Sequence, residues 1–209
     1  NWIILLLKKL NLINTKVYSW GHGVYGNENS LIFKSRILFL SFFDKNFIYN
    51  NRSRILLERH GLKNCVTIYN SLPNSMFFTF NDQHDFSKVR CKRNFCLLFI
   101  GRLTTIKQID LLLNAVNLLK DIKVELKIVG DGYRKSYLKN LTNELLLQDQ
   151  VKFFNGAYDK SKLIEHMQSS HIFVSPGNIG LSVITALSAG LPVLTHNSFE
   201  YQMPEFEIL

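Results

Sequence analysis

The residues best suited to chemistry lie where apolar runs give way to small and charged ones. Arg102 follows the apolar run Phe95–Ile100 and Gly101, and Lys107 comes near the start of the next helical pattern. A guanidinium fork and an ammonium point charge converging on one place suit a diphosphate. Two ordinary surface cations would look the same in sequence. A second candidate is Ser175-Pro176-Gly177-Asn178-Ile179-Gly180-Leu181, whose glycines lead into a helical pattern. Free N–H groups and the positive dipole end at such a start favour phosphate, although a plain tight turn has the same composition. A third is Gly130-Asp131-Gly132, where glycine lets backbone approach a ligand closely. His22 stands in the glycine loop Gly21-His22-Gly23 and could act on a bound group or simply face solvent.

These residues need elements to hold them. From residue 95 onward, strand and helix patterns alternate. Strands are expected at Phe95–Ile100, Val124–Ile128, Val151–Phe154, Ile172–Val174 and Pro192–Thr195. Between them, Ile109, Leu112, Leu113, Val116 and Leu119 form one helical face starting from Ile106, and Leu138, Leu141 and Leu145 form another. Asp159 is placed to cap a helix carrying Leu163, Ile164 and Met167, and Gly180–Ala189 is a helix closed by Gly190. Such alternation predicts a parallel sheet covered by helices on both faces, with ligands outside the carboxyl ends of the strands. Every candidate above except His22 falls at one of those ends.

The first part of the chain reads as a helix Trp2–Ile13, a strand Lys16–Trp20, a helix Ser30–Phe39 and a strand Phe47–Tyr49. A helix Arg52–His60 follows, capped by Asn50 or Asn51 and stopped by Gly61, then a strand Val66–Tyr69 and a turn through Pro73 and Asn74. Residues 79–94 are polar and lack a period, as a linker would. The expected division is therefore 1–78, a linker 79–94, and 95–209, with both ends of the chain looking cut.

The chain has 209 residues and a net charge of +9, which suggests an anionic partner or a solvated basic surface. Its three cysteines, Cys65, Cys91 and Cys96, are irregularly spaced, so neither a disulfide framework nor a zinc site is expected, and a cytoplasmic location is the simplest reading. Trp2–Leu7 is far too short to span a bilayer, which needs about 20 apolar residues. With Lys8 and Lys9, that helix either touches a membrane surface or is buried in its domain, burial being favoured.

Three ordered segments resemble one family. Phe99-Ile-Gly-Arg-Leu-Thr-Thr-Ile-Lys is similar to the "GRL…K" signature of retaining GT-B glycosyltransferases, the large bacterial group carrying the glycosyl transferases group 1 domain. Lys127-Ile-Val-Gly-Asp-Gly resembles their "IVGDG" loop, and Val174-Ser-Pro-Gly-Asn-Ile-Gly-Leu their "PS…EGFGL" block. The resemblance implies two Rossmann-like domains facing a cleft, the first incomplete and acceptor-binding, the second binding a nucleotide-diphosphate sugar. Donor contacts would come from Gly101, Arg102, Lys107, Gly130, Asp131, Gly132, Ser175, Gly177, Asn178, Gly180, Leu181 and Thr185. Arg102 and Lys107 would neutralise the departing diphosphate without a metal or any further cofactor. His22 would serve the transferred sugar or the acceptor, a glycan or lipid-linked molecule, in polysaccharide or lipopolysaccharide synthesis at the inner face of the plasma membrane.

Two departures stand out. The glutamates that usually meet the donor sugar and the ribose are replaced by Gly177 and Thr185. A remnant that binds nucleotide without turning it over is therefore one alternative. A nucleotide-sugar epimerase would need acid–base carboxylates that this block lacks. A nucleic-acid binder would need exposed aromatics among its cations, whereas the 16 phenylalanines fall mostly in core patterns.

Overall fold

The computed structural model describes residues 2–24, 28–72, 94–119, 122–156 and 160–209. Tyr25, Gly26, Pro73, Asn74, Cys91, Asp159 and most of the expected linker lie outside the described residues. The chain divides into two compact units, residues Asn1–Asn70 with Ser198–Leu209, and residues Ser71–Asn197.

The first unit runs α1 (Trp2–Lys9), β1 (Tyr18–Gly21), α2 (Leu31–Ser41), β2 (Lys45–Ile48), α3 (Asn51–Arg59) and β3 (Cys65–Thr67). Its sheet has the order β1-β2-β3, all parallel. Val24, Phe33, Ile48, Leu57, Leu62 and Cys65 form the core. Burial pushes the Cys65 thiol up to about 11, so it is an inert core residue. Helix α1 stops short of the expected Ile13. Asn11 takes a left-handed φ of 56°, Leu12 N–H donates to Leu7 O at 2.9 Å and Asn11 N–H to Lys8 O at 2.9 Å, the bond pair that closes a helix. Burial was the favoured expectation for α1, yet only Leu5 is buried. Lys8 is paired with Asp44, and Lys9 lies over the Phe42 ring at 5.3 Å. Asn50, of the two candidates, caps α3, accepting from Ser53 N–H at 2.9 Å. Among the described residues no helix is long and apolar enough to cross a membrane.

The second unit runs β4 (Phe95–Ile100), a 3₁₀ turn (Thr105–Lys107), α4 (Ile109–Asn117), β5 (Val124–Val129), α5 (Lys135–Glu144), β6 (Val151–Phe154), α6 (Lys160–Gln168), β7 (Ile172–Ser175), α7 (Ser182–Ser188) and β8 (Val193–Thr195). The strands are parallel in the order β6-β5-β4-β7-β8. This is the expected α/β fold, a parallel sheet flanked by helices. Phe99, Leu103, Ile109, Leu113, Leu126, Ile128 and Leu138 lie in its core, all at most 2% exposed. The helix expected from Ile106 starts at Ile109 instead, because Gln108 has a left-handed φ of 50°. Chain windings leave β4 and β7 in opposite directions, so the crevice beyond their carboxyl ends is the switch point where ligands bind in such sheets.

Residues 198–209 differ from the expected division, which assigned them to the second domain. They fold as two 3₁₀ turns, Phe199–Tyr201 and Pro204–Ile208, and group with the first unit. Glu207 is the physical reason. Its carboxylate accepts from Asn51 N–H at 2.6 Å and Arg52 N–H at 2.9 Å, at the start of α3. Asn70 donates to Glu205 at 2.6 Å, and Arg52 covers the Phe199 ring at 4.5 Å.

Candidate functional site

Three loops at the carboxyl end of the second sheet pack backbone on backbone. A side chain at Gly130 would put its Cβ 1.9 Å from Gly101 O, and one at Gly132 would lie 2.4 Å from Leu103 O. At Gly177 a Cβ would fall 2.1 Å from Ile106 O. Main-chain bonds stitch the same seam. Leu103 N–H donates to Asp131 O at 2.9 Å, Gly177 N–H to Lys107 O at 3.1 Å and Asn178 N–H to Ile106 O at 3.2 Å. The loop after β4 is thus clamped between the loops after β5 and β7. That close approach needs glycine at all three places.

Arg102 and Lys107 sit on the clamped loop. Arg102 is exposed. Lys107 is half-buried, and its ammonium donates to Asn178 O at 2.6 Å, tying the loop after β4 to the loop after β7. Thr104 Oγ1 and Asn178 Oδ1 are buried here without a hydrogen-bond partner among the described residues. Such oxygens are costly unless something else satisfies them. Ser175 is 2% exposed and shapes the turn, its carbonyl receiving the Thr195 hydroxyl at 2.7 Å. Gly180 and Leu181 precede α7, and their carbonyls accept from Val183 N–H at 3.0 Å and Ile184 N–H at 3.1 Å.

Asp131, one of the expected donor contacts, bridges two loops. Lys135 donates to its carboxylate at 2.5 Å and Gly156 N–H at 2.7 Å, and Lys135 also reaches Asn155 at 2.8 Å. Asp131 therefore staples the loop after β5 to the loop after β6. The Lys135 bond, then that from Gly156, holds its carboxyl below the usual carboxylate range. The four-residue spacing from Asp131 to Lys135 was the sequence signal for this pair.

Sequence reasoning did not single out Tyr133 or Arg134. The Tyr133 hydroxyl lies 3.0 Å from Thr105 N and 2.9 Å from Thr105 Oγ1, contacts that lower its pKa. Arg134 lies over the Tyr137 ring at 4.0 Å and reaches Asp110 at 3.5 Å. No spacing rule marks a tyrosine that bonds to the preceding loop.

The two positions that depart from the family pattern have distinct surroundings. At Gly177 the Ile106 and Lys107 backbone occupies the space a glutamate side chain would enter. Thr185 is 8% exposed and its hydroxyl points to Leu181 O at 3.4 Å.

In the first unit, His22 follows β1 and is exposed, with its ring edge-to-face with Tyr49 at a centroid distance of 5.1 Å. Gly23 brings this loop against Ile48 and Ser53, and its φ of +71° is one that glycine readily adopts. His22, Trp20, Arg36 and Phe47 line a pocket of about 210 Å³. The structure thus places His22 in one unit and Arg102 and Lys107 in the other.

A parallel sheet with glycine-clamped loops at its switch point defines a Rossmann-like class of α/β protein. Within that class the chain belongs to the glycosyl transferases group 1 family, whose family model matches residues 80–205. It is 28% identical over 204 residues to an uncharacterized glycosyltransferase of Haemophilus influenzae, covering 93% of this chain and 54% of the relative. The chain thus spans about half the length of that relative. Anabaena HepE in complex with UDP superposes with a TM-score of 0.72 at 17% identity, over 100% of this chain and 60% of that one. The lipopolysaccharide outer core galactosyltransferase WaaB gives 0.70 at 14% identity, over 93% and 54%. Both likenesses identify the GT-B fold.

Proposed function

We propose that the chain handles the donor in a retaining, metal-independent hexosyltransferase. The enzyme moves a hexose from a nucleotide-diphosphate sugar to a glycan or lipid-linked acceptor, in synthesis of a cell-surface polysaccharide or lipopolysaccharide. The observation that carries this reading is the seam of Gly130, Gly132 and Gly177 clamping the loop that bears Arg102 and Lys107. When the bond between the anomeric carbon and the diphosphate oxygen breaks, negative charge grows on the departing diphosphate. Arg102 and Lys107 offset it, Lys107 being already held by Asn178 O, with no cofactor besides the sugar nucleotide. The N–H groups of Gly180 and Leu181 hold the distal phosphate, and the Thr185 oxygen meets the ribose. His22 serves the transferred sugar or the acceptor hydroxyl. HepE was solved with UDP and WaaB is named a galactosyltransferase, which supports a sugar nucleotide as the ligand class. The exposed Trp2, Ile3 and Leu6 of α1 support a peripheral contact at the cytoplasmic face of a membrane.

Calorimetric titration of the whole chain with UDP tests the reading. Saturable binding is expected, and Arg102→Ala should weaken it about tenfold to a hundredfold, the worth of a hydrogen bond to a charged group. The melting temperature should not change. Failure of the native chain to bind UDP sinks the proposal.

A second reading, nucleotide binding without transfer, is favoured by one observation. Neither Gly177 nor Thr185 supplies a carboxylate. UDP binding with no release of UDP from a UDP-sugar in the presence of acceptor would select it.

A further inference from the structure

Tyr133 follows Gly132 in the loop after β5, and the residue is 74% exposed. An exposed tyrosine ordinarily samples several rotamers, but this one is fixed at both ends. Its backbone is held where Arg134 N–H donates to Leu103 O at 3.1 Å and where Gly132 packs against the same carbonyl. Its hydroxyl is held by Thr105, through the backbone N at 3.0 Å and Oγ1 at 2.9 Å. The neighbouring Arg134 lies over Tyr137, reaches Asp110 and donates to Thr105 Oγ1 at 3.4 Å, so it braces the hydroxyl end and leaves the ring faces uncovered. The faces of the Tyr133 ring have no aromatic or cationic partner among the described residues. The ring also belongs to the same pair of interlocked loops that carries Gly101 and Arg102.

We infer that Tyr133 is the platform on which the nucleobase of the donor stacks. This rests on the sugar-nucleotide reading of the site and adds a residue to it. Each part of such a donor asks for different chemistry. A diphosphate needs cations and N–H groups, which a phenol ring does not offer. A hexose presents mostly hydroxyls, which need polar partners, beside small C–H faces that offer a ring less area than a base does, and the Tyr133 hydroxyl is already engaged by Thr105. A heterocyclic base presents a flat π-face, which an immobilised aromatic ring meets at little entropic cost. Because every base has such a face, the ring selects a nucleoside diphosphate over bare diphosphate without choosing among bases.

The test uses calorimetry on the whole chain with three probes: UDP, UDP-glucose and inorganic pyrophosphate. The native chain must first bind UDP; if it does not, the sugar-nucleotide reading fails and the inference falls with it. Given that binding, Tyr133→Ala should weaken UDP about tenfold or more, the usual effect of removing a stacking ring. Its affinity for pyrophosphate should be unchanged, and UDP-glucose should lose the same factor as UDP. Tyr133→Phe, which keeps the ring and loses the tie to Thr105, should fall between native and alanine. Unchanged UDP affinity in Tyr133→Ala overturns the inference while leaving the parent reading intact. Equal losses for UDP and pyrophosphate would make Tyr133 a loop brace instead. A larger loss for UDP-glucose than for UDP would assign the ring to the sugar.

Discussion

At position 177 a side chain and the neighbouring backbone compete for one space. A methyl group there would meet Ile106 O at 2.1 Å and the Lys107 carbonyl carbon at 2.6 Å. The main chain of a stitched loop cannot turn aside as a flexible side-chain tip can. Gly177→Ala should therefore cost about 1–3 kcal/mol, as overpacking usually does, measured by chemical denaturation. Gly177→Glu, which introduces the acidic residue that the family resemblance implies, should lose stability and weaken UDP binding. Native-like stability in both variants would mean that the seam yields more easily than its distances imply.

Among the elements, α3 shows how a short helix can be finished by distant residues. Asn50 satisfies Ser53 N–H, and Glu207 satisfies the N–H groups of Asn51 and Arg52 with negative charge at the positive end of the dipole. Glu207→Ala should lower stability by about 1 kcal/mol, read as a drop in the denaturation midpoint. An unchanged midpoint would show that water replaces the carboxylate without loss. This contact also marks the limit of what the sequence reveals. Strands β4 and β6 have the expected bounds because an apolar run in a parallel sheet is its own signal. The Asn50 cap and the Gly61 stop are equally local. The end of α1 at Asn11 and the late start of α4 at Gln108 depend on left-handed turns at residues other than glycine, which composition does not announce. The docking of residues 198–209 depends on bonds across more than 130 positions, and no local pattern encodes them. At the site, the glycines and cations were legible by type. The Asp131–Lys135 pair had a spacing signal, whereas the bond from Gly156 to Asp131 and the pinned Tyr133 ring follow only from how adjacent loops meet.

For the whole molecule, the shifted groups act together on acidification. Burial, with help from the Lys127 ammonium, holds the His166 imidazole below its usual pKa of 6.5. The unfolded chain then binds this proton first, so stability is full above about pH 6.5 and falls as the pH drops toward the folded value. Lys135 and Lys8 hold Asp131 and Asp44 below 3.8, and the stability these pairs provide is lost as pH falls through their lowered values. All three signs agree. The melting temperature should decline from neutral pH to acid in two stages, and His166→Gln should abolish the first. A melting temperature that rises between pH 7 and 5 would contradict the assignment. The Glu207 contact has a last consequence, a mechanical one. The first and last residues of the chain belong to one unit, and the other is threaded between them as a closed excursion from Ser71 to Asn197. Tension applied between residues 2 and 209 is borne by the first unit alone, through α1 and the turns clasping α3. The loops at the carboxyl end of the second sheet stay unloaded until that clasp tears.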